Sequence, residues 1–210
     1  VNCRCDIGGL ALSIRAMVKR LHQSNAEIAA LANRDPITGL PNRQHFNELL
    51  TRRLESAADR EGGHVFFIEV LGLRQVNDRF GHEAADRLFA ETVRQLSATI
   101  ADLTADAENE TGATPVLARF GGEQLVLDLP GNLEQDKLLA LATSLHSTLK
   151  DGIESGGRLF RPHLGIGIAS YPDHGKLAGK INQYAALACN SALNSKRSMS
   201  RLAMCRAAAP

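Results

Sequence analysis

Val116-Leu117-Ala118-Arg119-Phe120-Gly121-Gly122-Glu123-Gln124-Leu125-Val126-Leu127-Asp128-Leu129 consists of two apolar runs joined by a glycine pair. Each run reads as a strand and the glycines as a tight antiparallel turn, because glycine takes φ > 0 without steric cost. A carboxylate, Glu123, follows at once. It is expected at the rim of the turn, suited to holding a divalent metal against a polyphosphate, and Gly121 and Gly122 leave that approach free of Cβ atoms. A plain surface turn with an exposed glutamate would give the same local pattern, so the reading depends on what surrounds it.

Upstream, His64-Val65-Phe66-Phe67-Ile68-Glu69-Val70-Leu71 is a nearly continuous apolar run, as expected of a central strand. Glu69 interrupts it near its end, and a carboxylate there is costly unless paired, protonated or bound to a metal. Next comes Asn77-Asp78-Arg79-Phe80-Gly81-His82-Glu83-Ala84-Ala85-Asp86, read as a polar loop running into a helix. The Asn77 amide and Asp86 carboxylate match the hydrogen-bonding edge of a guanine base. Earlier still, Arg34-Asp35-Pro36-Ile37-Thr38-Gly39-Leu40-Pro41-Asn42-Arg43 ends a helix, since Pro36 disfavours helical geometry at Asp35.

The other elements follow by periodicity. Helices are expected over about 42–60, 83–103, 133–153 and 177–197, and a strand over about 163–170; the polar, acidic stretch 102–115 reads as a loop. The β-α-β-β-α-β order predicts an α/β (α+β) fold, a ferredoxin-like or palm-type sheet with helices on one face. Before it, Leu10, Ile14, Met17, Leu21, Ser24, Ile28 and Leu31 are spaced 4, 3, 4, 3, 4, 3, the seam of a two-stranded coiled coil. That spacing predicts a homodimer through the N-terminal helix; the alternative is one amphipathic helix packed on its own domain.

Composition narrows the function. At 210 residues the chain has room for one cored domain and an appendage. A net charge of +1, 4% aromatics and no Trp argue against a nucleic-acid surface. The four cysteines lack the paired spacing of a zinc site and read as reduced thiols. No apolar run approaches the ~18 residues of a membrane span, so no direct membrane contact is expected of this stretch. The chain begins at Val1 and reads as a piece of a longer protein.

Together the three motifs resemble the GGDEF family, the diguanylate cyclase domains that condense two GTP into cyclic di-GMP. D-x-x-T-G-L-x-N-R matches Asp35–Arg43, N-D-x-x-G-H-x-x-x-D matches Asn77–Asp86, and R-[YF]-G-G-[DE] matches Arg119–Glu123. The resemblance implies a GGDEF domain over 34–206. Residues 1–33 would be the C-terminal part of a HAMP module and a signalling helix, since Asp6-Ile7-Gly8-Gly9-Leu10-Ala11, with Met17 and Leu21, is similar to the second HAMP helix. The implied location is cytoplasmic, beneath a parent protein anchored in the inner membrane.

The resemblance also assigns roles. Glu69 and Glu123 would hold Mg²⁺ (or Mn²⁺) with the Val70 carbonyl, Glu123 being the catalytic carboxylate. Asn77 and Asp86 would read guanine, Gly121 and Gly122 would admit the phosphates, and Arg74 and Lys196 would bind them. Each protomer would hold one GTP and meet its partner's across the dimer.

Several positions depart from the family pattern. Glu69-Val70-Leu71 replaces D-x-D, Gln124 replaces a glutamate, Leu125 a phenylalanine and Ser200 an arginine. The product-inhibition pattern R-x-x-D is missing near Gly112-Ala113-Thr114-Pro115, and Leu164-Gly165-Ile166-Gly167 stands for S-[IV]-G. Because Mg²⁺ demands near-ideal octahedral ligands, a lengthened carboxylate beside a neutralised one predicts impaired or absent cyclase activity. GTP binding or a relay role would remain. The leucine-rich 69–73 segment resembles degenerate GGDEF domains of HAMP-GGDEF-EAL receptors, whose EAL domain would lie downstream or on another chain. The alternatives are an active cyclase and a dimerisation module without nucleotide.

Overall fold

The computed structural model describes residue 12 and residues 14–20, 33–56, 62–111, 113–155, 157–194 and 202–204, with only the backbone described over 106–111 and at 202. Its centre is β1 (Gly63–Leu71), whose side chains are buried at nearly every position, so both faces of the strand must be covered. β3 (Gln124–Pro130) and β6 (His163–Tyr171) flank it, both antiparallel, pairing Ile68 with Leu125 and with Ile166. β2 (Val116–Gly121) lies outside β3, and β7 (Leu202–Met204) runs parallel to β6, completing the order β2-β3-β1-β6-β7. The first four strands have the predicted ferredoxin-like arrangement.

Alternation along β1 feeds two cores. Phe66, Ile68 and Val70 pack with Leu88 and Leu96 of α3 (His82–Thr111) and Leu138 and Leu145 of α4 (Gln135–Thr148). Val65 and Phe67 pack with Phe46 and Leu50 of α1 (Arg43–Ser56) and Ile181, Ala185 and Cys189 of α5 (Ala178–Asn194). Helices therefore cover both faces, not the one face expected, because neither set of β1 side chains is polar. On β6, Gly167 is required by α5: a Cβ there would lie 2.1 Å from the Cys189 nitrogen and 2.2 Å from the Ala185 oxygen. That close approach explains the Leu164-Gly165-Ile166-Gly167 segment.

Other boundaries also differ from expectation. The stretch expected as a loop over 102–115 is helical to Thr111, with Asp102 exposed and Thr104 buried. The expected loop 77–86 is instead the end of α2 (Leu73–Phe80), a break at Gly81 with φ 83°, and the start of α3. α4 stops at Thr148, and a short hairpin follows, β4 (Ile153–Ser155) with β5 (Arg158–Phe160). Strands of three residues carry too little periodicity to stand out in the sequence, and the same holds for β7. Of the coiled-coil seam, Ile14 and Met17 lie on a helical stretch and are exposed; Leu10, Leu21, Ser24, Ile28 and Leu31 fall outside the described residues. Among the described residues, no helix is long and apolar enough to cross a membrane.

Candidate functional site

The glycine hairpin is fixed from three sides before any ligand is considered. Gly121 and Gly122 take φ 132° and 54°, a turn geometry other residues rarely adopt. Phe120 drives edge-on into Phe46 and Phe67, with ring centroids 5.8 and 5.9 Å away. Arg119 then folds back over the turn, donating from Nε and Nη2 to the Gly122 carbonyl at 3.1 and 2.9 Å. Its Nη1 donates to both oxygens of Asp35, each at 3.0 Å, and its guanidinium lies 4.6 Å from the Phe89 ring centre.

Asp35 belongs to a turn of its own. Its Oδ1 accepts from the Thr38 backbone at 2.9 Å and the Thr38 hydroxyl at 2.8 Å, and its backbone bonds to Leu40 at 2.8 Å. Burial pushes its carboxyl up, but the Thr38 hydrogen bonds and the Arg119 charge outweigh burial and hold it below the ordinary value. The Asp35–Arg43 motif thus acts here as a brace for the hairpin. The motifs name both residues, but their spacing in sequence does not say that they pair, so this role was not expected.

At the open end of the sheet, Glu69 faces Gln124 across the β1–β3 ladder. The Val70 N–H donates to the Glu123 carbonyl at 2.9 Å, stitching the turn to the end of β1. The half-buried Glu123 carboxyl is pushed up, first by burial and then by the charge of Glu69. The Arg74 charge and backbone N–H, at the start of α2, pull it partly back. The Cys189 thiol sits behind, pushed up to about 12 by burial and by Glu69. Glu69 and Glu123 are thus brought within electrostatic reach of each other, with Arg74 beside them.

Two mutually repelling carboxylates fit a divalent cation, which would relieve the repulsion. The fit stops there: among the described residues no group of three or more His, Cys, Asp or Glu side chains could hold a metal. Leu71 and Gln124 occupy the neighbouring positions and carry no charge.

The remaining predicted residues spread along α2 and α3. Arg74 and Asn77 are one helical turn apart on α2, Arg74 exposed and Asn77 half-buried. Asp86 is exposed in α3, beyond the Gly81 break, whose N–H donates to the Asn77 carbonyl at 2.9 Å. A Cβ at Gly121 or Gly122 would meet no protein atom within 4 Å, so the space outside the turn is open to a ligand. Lys196 lies outside the described residues.

Comparison with known proteins agrees with this layout. The family model described as "Diguanylate cyclase, GGDEF domain" matches residues 32–199. The diguanylate cyclase TpbB of Pseudomonas aeruginosa is 28% identical over 200 residues, covering 94% of this chain and 43% of the relative. The cyclic di-GMP phosphodiesterase NbdA of the same species is 27% identical, covering 83% of this chain and 21% of the relative. The chain thus spans less than half the length of either relative. Among solved structures, the GGDEF domain of TpbB superposes with a TM-score of 0.68 at 26% identity, covering 80% of this chain and 98% of that one. The coiled coil and GGDEF domain of DgcB from Caulobacter crescentus, in complex with c-di-GMP, gives 0.74 at 17% identity over 94% of this chain and 98% of that one, a likeness of fold.

Proposed function

Because the chain belongs to the GGDEF family of diguanylate cyclase domains, we propose that it serves a cyclic di-GMP signalling protein as a GTP-binding relay whose own cyclase activity is impaired or absent. In the full reaction, the 3′-hydroxyl of each GTP attacks the α-phosphorus of the other, and two pyrophosphates leave. Bound Mg²⁺ or Mn²⁺ supplies charge neutralisation at the triphosphate and eases loss of the hydroxyl proton. Glu69 and Glu123, with the Val70 carbonyl, would hold it. Arg74, and Lys196 beyond the described residues, would meet the phosphates. Asn77 and Asp86 would read the guanine edge, and Gly121-Gly122 would leave the phosphate path open.

The observation that carries the reading is the Glu69–Gln124 pair in the β1–β3 ladder. A neutral amide stands where a further carboxylate would complete the charge around Glu69 and Glu123, and Leu71 adds none. Loss of one group that stabilises transition-state charge commonly costs ~3–4 kcal/mol, two to three decades of turnover. Asn77, Asp86, Gly121 and Gly122 remain, so binding is expected to outlast chemistry. The HAMP-like N-terminal sequence supports a cytoplasmic domain dimerised through its leading helix beneath an anchored parent, and the leucine-rich 69–73 segment supports an EAL partner downstream or on another chain.

An active cyclase is the second reading, favoured by the repulsion between Glu69 and Glu123 that a cation would relieve. Mass-spectrometric detection of cyclic di-GMP after incubation with GTP and Mg²⁺ or Mn²⁺ separates the two. The relay reading expects no product from the natural chain and product from Gln124→Glu. Turnover by the natural chain at ordinary family rates would replace it with the second reading.

A further inference from the structure

We propose that the pocket between α2 and the β5–β6 connection binds a phosphate-class oxyanion. The helix α2 has two stripes. Arg74 and Asn77 lie on one; Gln75, Val76, Arg79 and Phe80 lie on the other and line a cavity of about 150 Å³. Val76, Leu88 and Pro162 form a buried apolar floor, while Gln75, Arg79 and Arg161 supply polar heads at the rim. Next to this rim, Arg158 stands over the Phe80 ring at 4.3 Å, and Phe80 meets Phe160 edge-on at 5.9 Å. Arg79, Arg158 and Arg161 form no ion pair with any described carboxylate.

Arg79 and Arg161 on the cavity and Arg158 beside it thus set three guanidiniums without a carboxylate partner where an anion would be attracted. Guanidinium forks bond tetrahedral phosphate oxygens bidentately, and the Phe80 face pre-orders one of them. Size sets the ligand: the cavity is well below the ~300–1,000 Å³ of pockets that enclose drug-sized molecules. It encloses a phosphate or diphosphate group but not a whole nucleotide. The same short helix carries Arg74 and Asn77 on its other stripe, so an anion held here also fixes α2.

Calorimetric titration of the 210-residue chain with sodium phosphate and with pyrophosphate, at constant ionic strength and without divalent metal, tests the site. The proposal expects saturable binding, weakened about tenfold by Arg161→Ala or Arg79→Ala and still present in Arg74→Ala. Tighter binding of pyrophosphate than of phosphate would assign the ligand to the diphosphate class. Absence of saturation with both anions overturns the proposal, as does binding that Arg74→Ala removes and Arg161→Ala leaves intact. Arginine Nε–Hε resonances of the unsubstituted chain give a readout independent of variant folding. Shifts of Arg79, Arg158 and Arg161 support the site, and shifts confined to Arg74 overturn it.

Discussion

Asp35 and Arg119 stand 84 residues apart in the chain and share two hydrogen bonds of 3.0 Å, with Arg119 also gripping the Gly122 carbonyl at 2.9 Å. The pair joins the turn at the start of the 34–43 segment to the turn beside Glu123. Both side chains are mostly buried, at 14% and 15% exposure, so solvent screens them little. A displacement of Asp35 would therefore be felt at the hairpin.

Arg119→Ala is expected to destabilise the domain by about 1.5–3 kcal/mol, the usual range for a hydrogen bond to a charged group, lowering Tm by several degrees. Arg119→Lys should recover little, because one ammonium cannot reach Asp35 and Gly122 with the fork geometry of a guanidinium. Thermal unfolding of the two variants decides it. Equal stability of the Lys variant and the natural chain would show the fork to be unimportant.

His64 predicts how stability depends on pH. Its Nε2 accepts from the Leu133 N–H at 3.1 Å, so the proton sits on Nδ1, which donates to the Ser170 hydroxyl at 2.8 Å. Burial lowers its pKa from 6.5 to about 4, with the nearby Asp173 charge opposing and His174 adding. Between those values the unfolded chain binds more protons than the folded one. Stability is then full above about pH 6.5 and falls as the pH drops toward 4, by up to about 3 kcal/mol. Urea unfolding at neutral pH and at pH 5 should show the loss in the natural chain and much less of it in His64→Gln.

Gly167 and Gly122 separate two reasons for glycine. Gly167→Ala drives a methyl into the α5 backbone, 2.1 Å from the Cys189 nitrogen, and should cost ~3 kcal/mol or more, or prevent folding. Gly122→Ala meets no atom within 4 Å but must hold φ 54°, a strain of about 1–2 kcal/mol. Chemical denaturation ranks them, and a larger loss at Gly122 would contradict the packing.

The elements with strong periodicity were legible in the sequence: β1, the β2–β3 hairpin, β6 and the helices that cover them. So were the residues around the glycine turn, because Glu69, Gly121, Gly122 and Glu123 break apolar runs and stand out. The 102–111 helical turns were hidden by their polar, acidic sequence, and β4, β5 and β7 by their shortness. The Asp35–Arg119 brace was hidden because no local pattern says which distant carboxylate an arginine will meet. The arginines of the α2 pocket come from helix and hairpin segments far apart in the chain, and only the fold gathers them.

Glu123 predicts a trade between stability and function. Burial and then Glu69 raise its carboxyl above the ordinary value, so within that window the folded chain binds more protons than the unfolded one. Stability then falls as the pH rises through the window, and at neutral pH the charged pair is a net cost to the fold. Glu123→Gln should therefore raise Tm at pH 7 and keep the Val70 N–H to carbonyl bond, which uses only the backbone. The same change should weaken Mn²⁺ binding about tenfold or more, read by electron paramagnetic resonance of the free ion. Glu69→Gln should act alike on the cation and also return the Glu123 carboxyl toward its ordinary value, seen in a carbon-detected NMR titration. If Glu123→Gln lowered Tm, or if Glu69→Gln left the titration of Glu123 unmoved, the two carboxylates would not be coupled, and the cation site built on them would fall.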